Sequence, residues 1–90
     1  MQRWEYLLFN DHGKNIFPGS HRLQQVYQHL KSSLPHLGPK ELKIDGNRIE
    51  NTGISLVDLM NVLGADGWEV VEVAVAEIGR MTYVLKRPTG

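Results

Sequence analysis

The segment Trp68-Glu69-Val70-Val71-Glu72-Val73-Ala74-Val75-Ala76-Glu77 constrains this chain more than any other. It is dense in valine and free of Gly and Pro, so it reads as a long β-strand. Ile78-Gly79-Arg80 returns it as a hairpin into Met81-Thr82-Tyr83-Val84-Leu85-Lys86-Arg87, and Pro88 ends the pairing. A sheet packed on one side alternates cleanly between apolar and polar residues, and this strand does not. Trp68, Val70, Glu72, Ala74 and Ala76 fall on one face, with Glu69, Val71, Val73, Val75 and Glu77 on the other. Its partner is mixed as well, with Met81, Tyr83 and Leu85 opposed to Thr82, Val84 and Lys86. Both faces of the sheet therefore read as partly buried.

The rest of the chain supplies the remaining elements. Trp4 to Phe9 reads as a first strand, with Trp4, Tyr6 and Leu8 as its main apolar set and Leu7 and Phe9 behind it. Asn10 to Asn15 is a polar turn, and Pro18-Gly19 closes the loop. Ser20 is placed to cap a helix whose Leu23, Val26, Tyr27, Leu30 and Leu34 form one apolar arc, with His21 and His29 pointing away from it; Pro35 stops that helix. Asp45-Gly46-Asn47 joins the short runs Glu41–Ile44 and Arg48–Glu50 as a hairpin. Ser55 caps a second helix carrying Leu56, Leu59, Met60 and Leu63 on one side, with Gly64 expected as its left-handed C-terminal residue. The order β-α-ββ-α-β-β predicts an α+β fold, with a small, mostly antiparallel sheet of three main strands plus a short hairpin and two amphipathic helices.

Length and composition limit what such a fold does. Ninety residues make a single domain, 1–90, with a thin core. Ten basic residues balance ten acidic ones, which weakens general attraction to nucleic acid or to an anionic membrane. The absence of Cys excludes a disulfide scaffold, a thiolate metal site and a Cys nucleophile. The start Met1-Gln2-Arg3-Trp4-Glu5 does not read as a signal peptide, and the apolar runs are too short to span a bilayer. A cytoplasmic domain with no membrane contact is expected.

Three blocks occur together: Trp4-Glu5-Tyr6, then Leu59-Met60-Asn61-Val62-Leu63-Gly64-Ala65-Asp66-Gly67-Trp68-Glu69-Val70-Val71, and finally Tyr83-Val84-Leu85-Lys86-Arg87-Pro88. On these blocks the chain resembles the small bacterial family called domain of unknown function 4177. The specific part is Asn-x-Leu-Gly-Ala-acidic-Gly-Trp-Glu, with Asp66 and Val70 where Glu and Leu are more usual. The resemblance covers the first nine residues and the last 35 and implies a bacterial cytoplasmic setting. It supplies no activity, cofactor or catalytic residue. The residues themselves give the blocks a structural meaning, with Trp4, Tyr6, Gly64, Gly67, Trp68 and Glu69 as structural residues: a helix ending in Gly64, a tight turn at Gly67 and the large Trp68 fix one helix-to-strand corner, where Trp68 buries a large area and its indole N–H finds a carbonyl or water. Glu69 is expected to pair with Lys86 or Arg87.

Catalytic patterns are missing: there is no G-x-S-x-G, Walker loop, G-x-G-x-x-G or H-E-x-x-H. His12, His21, His29 and His36 show no metal-ligand spacing, so no metal or other cofactor is expected. Glu72 sits mid-strand between apolar neighbours. Buried, it would be a candidate acid or base for a ligand-binding or enzymatic pocket; exposed or paired with Arg3, Arg80 or Lys86, it is structural. Trp4, Tyr6, Trp68 and Tyr83 with Arg3, Lys86 and Arg87 form a second candidate, a stacking platform for single-stranded nucleic acid. The reading favoured here is a non-enzymatic association module that pairs with a second copy of itself through an exposed sheet face or edge. Two helices cover one face of a small sheet and leave the other for a second copy of the chain, unless the helices divide between the faces or the central hairpin folds over. The expected homodimer interface comprises Leu7, Phe9, Val71, Val73 and Val75.

Overall fold

The computed structural model describes residues 2–10, 14–77 and 80–89, with the backbone alone at positions 76, 77 and 80. Strand β1 (Trp4–Asn10) leads through β2 (Asn15–Phe17) to helix α1 (Leu23–Ser33). Strands β3 (Leu42–Asp45) and β4 (Arg48–Asn51) precede helix α2 (Leu56–Ala65), and β5 (Glu69–Glu77) and β6 (Arg80–Pro88) complete the fold. The strands form one six-stranded sheet in the order β3-β4-β2-β1-β6-β5, and every neighbouring pair is antiparallel. The α+β class is as expected, with one strand more. The extra strand is β2, too short to show a period in the sequence. Ile16 lies opposite Phe9 on one side and Ile49 on the other, which joins the β3–β4 hairpin to the main sheet.

Both helices lie on one face of this sheet. Val26 and Leu30 of α1 and Leu59 and Leu63 of α2 share a single core with Leu7, Phe9, Ile16, Ile49, Tyr83 and Leu85. The helices therefore do not divide between the faces, and the central hairpin is part of the sheet instead of folding over it. Strand β1 is inverted relative to expectation: Leu7 and Phe9 face the helices at 0% exposure, whereas Trp4, Tyr6 and Leu8 face outward. Both of its faces are apolar, so periodicity had no basis for choosing. Cross-strand partners decide it, since Leu7 lies opposite Leu85 and Phe9 opposite Tyr83, with the Phe9 and Tyr83 rings stacked at 4.8 Å.

Helix boundaries follow local chemistry. The Ser55 hydroxyl accepts the Asp58 N–H at 3.1 Å and caps α2. At the other end Gly67, not Gly64, takes the left-handed conformation, at φ +91°. The Gly67 N–H donates to the Gly64 carbonyl and the Trp68 N–H to that of Leu63. This is a Schellman closure that places Trp68 against the core. Ser20 does not cap α1: its N-cap is Arg22, with no side-chain hydrogen bond to the helix end.

Candidate association surface

Strand β5 is an edge of the sheet, paired only with β6. Val70 lies opposite Leu85, Val73 opposite Tyr83 and Val75 opposite Met81, which puts these valines on the helix side. Breaks in register between Val70 and Glu72 and between Val75 and Glu77 bracket a regular stretch, Glu72–Val75. Side-chain burial stops at Tyr83. Beyond it Met81 and its partner Val75 are exposed, Val75 at 69%, and Val70, Val71 and Val73 of the edge strand are exposed too, although Val70 and Val73 lie opposite the buried Leu85 and Tyr83. A run with such strong strand propensity is thus only partly covered.

The sheet face away from the helices is apolar in its middle and charged around it. Tyr6 lies opposite Lys86, which lies opposite Glu69; Leu8 lies opposite Val84, which lies opposite Glu72. The Lys86 Nζ sits 4.0 Å from the centre of the Trp4 ring and 3.9 Å from Glu69. Farther across, Arg48 bridges Asp45 at 3.1 Å and Glu50 at 2.8 Å, and Lys43 reaches Glu50 at 3.6 Å. Interleaved charge of both signs suits a face turned to water.

A partly buried ion cluster centred on Arg87 ties the elements together on the helix side. Glu5 of β1 accepts hydrogen bonds from Arg87 of β6 and, at 2.5 Å, from Arg22 at the start of α1. Arg87 is 9% exposed, donates to the Asp66 carboxylate at 2.6 Å and carbonyl at 3.1 Å, and lies 4.5 Å over the Trp68 ring. Burial alone would push the Glu5 carboxyl up; hydrogen bonds and charge from Arg87 and Arg22 outweigh it and hold the group below its usual range. Every carboxylate here already has a cationic partner, so the cluster reads as a clamp between α1, α2 and the sheet.

The expected site residues separate on this framework. Leu7 and Phe9 are removed from the interface, because they form the core. Val71, Val73 and Val75 are exposed and adjacent. Of the structural residues, Trp68 is buried at the corner, with Gly67 turning into it, and Gly64 is an ordinary helical residue; Trp4 and Tyr6 lie on the opposite face of the sheet. The Trp68 indole N–H meets no acceptor among the described residues; its ring is held through the Arg87 stack. Glu69 pairs with Lys86 as expected.

The alternative sites fare differently. Glu72 is exposed, and the groove of about 170 Å³ between α1 and the 37–42 turn, lined by Tyr27, Lys31, Leu37 and Leu42, does not include it. The aromatic platform is divided, with Trp4 and Tyr6 exposed on one face and Trp68 and Tyr83 buried on the other. Arg87 is engaged in the clamp. His29 does not point to solvent but hydrogen-bonds the Val62 carbonyl at 2.9 Å, joining the helices. His21 and His36 are exposed, and His12 lies outside the described residues. Among the described residues no three His, Cys, Asp or Glu side chains gather as a metal site, and no helix is long and apolar enough to cross a membrane.

Val70 and Met81 belong to the exposed patch but escape sequence reasoning. Each shares a face with residues that are buried farther along its strand, so nothing in the alternation shows where the helical cover ends. No family model, no curated protein and no solved structure matches this chain.

Proposed function

We propose that this chain is a non-enzymatic protein-association module that pairs with a second copy of itself through the uncovered part of the β5–β6 hairpin. One observation carries the reading: Val70, Val71, Val73, Val75 and Met81 are exposed together on the segment of greatest strand propensity. Contiguous apolar surface of this kind gains free energy when another chain covers it. The resemblance to domain of unknown function 4177, with its bacterial cytoplasmic setting, belongs to the same proposal.

The test is Val73→Glu. Val73 is 43% exposed in the single chain, which leaves room for a carboxylate to reach water, so the substitution is expected to lower thermal stability only modestly while halving the mass in solution. A Val73→Glu protein that keeps the parent mass would overturn the proposed surface.

A further inference from the structure

We infer that two copies join edge to edge, β5 against β5′ and antiparallel about Ala74, so that their sheets become one. This rests on the self-association proposed above and specifies its geometry. The sheet has two edges with different properties. Strand β3 is four residues long and carries Lys43 and Asp45, the kind of short, charged edge that resists pairing. Strand β5 is nine residues long, and Val73-Ala74-Val75 at its centre is uncharged.

A strand that pairs with its own copy about a twofold axis sets residue i opposite j and j opposite i. Residues directly opposite share a face, so the axis passes through a residue when both helical layers lie on the same side. An axis through Glu72 sets that carboxylate against itself. An axis through Val73 brings the Glu69 end of each strand onto the Glu77 end of the other. An axis through Val75 sets Val73 against Glu77. The axis through Ala74 keeps these clashes out of the regular stretch: Ala74 meets Ala74 and Val73 meets Val75 on both sides, Glu72 falls opposite position 76, an alanine, and Glu77 falls opposite Val71 only beyond the register breaks.

The central pairs of this register, Ala74 with Ala74 and Val73 with Val75, lie within the regular stretch between the two breaks. The register joins Val73, Val75 and Met81 of both copies into one apolar strip on the helix side. Both copies then present only their β3 edges to solvent.

The chain has no cysteine, so single substitutions report proximity cleanly. Ala74→Cys and, on the opposite edge, Lys43→Cys are treated with a short bis-maleimide at micromolar protein, with native mass measured in parallel. Cross-linking at Ala74→Cys is expected to be faster by about a hundredfold or more, because a dimer holds the paired thiols at high effective concentration. Dimeric mass with equal, slow cross-linking at both positions overturns the β5 pairing and leaves self-association standing. Monomeric mass overturns both. As a check free of substitution, hydrogen exchange on the parent chain should slow at Val73–Val75 as concentration rises. Exchange there that is independent of concentration, in a chain shown to be dimeric, also overturns the pairing.

Discussion

Trp68 and Arg87 are the residues on which the closed end of the molecule depends. Trp68 is buried at the corner between α2 and β5, and its ring carries the Arg87 guanidinium. Trp68→Ala removes this packing and leaves a cavity, so it should cost about 3–5 kcal/mol, read as a lower urea midpoint. A loss below 1 kcal/mol would contradict the packing described. Glu5 gives a separate prediction in pH. Its carboxyl is held below its ordinary value near 4.5, so its contribution to stability is complete above that value. The contribution is lost as the pH falls further, through the lowered value in the folded chain. Glu5→Gln should therefore be less stable at neutral pH, and its melting temperature should fall less steeply than the parent's below that point. Parallel acid limbs in the two proteins would show that the Glu5 clamp is not what titrates.

At the scale of elements, what the sequence made legible were those with strong local chemistry. Ser55 and the Val26/Leu30 stripe announced their helices, and Asp45-Gly46 announced its hairpin. What stayed hidden was set by contacts distant in the chain. Strand β2 exists because Ile16 fits between Phe9 and Ile49, and β1 turns Leu7 inward because Leu85 and the helices are there. The α2 corner shows the same limit on a finer scale, since two glycines three residues apart compete for one role. Gly67 has φ +91° and no atom within 4 Å of an added Cβ, so Gly67→Ala should cost about 1–2 kcal/mol through the backbone alone. Gly64 is helical and equally open, so Gly64→Ala should be neutral or stabilising by about 0.5–1 kcal/mol. Chemical denaturation of the two variants checks this, and the reverse order would assign the cap to Gly64.

For the whole molecule, the asymmetry of the sheet is the central fact. One face is covered by two helices, the other is lined with Trp4, Tyr6 and Leu8 among paired charges, and one edge extends beyond any cover. The mixed alternation of β5 reads as a strand that meets a further surface, and the proposed self-association places that surface at the exposed valines. The sequence could not separate a strand buried on both faces from one exposed on both, because valine density is the same in each case. The most direct measurement is the mass of the purified chain by size exclusion with light scattering across a dilution series. Self-association through β5 predicts twice 10.2 kDa, falling to 10.2 kDa in Val73→Glu. A parent chain of 10.2 kDa at every concentration would contradict it.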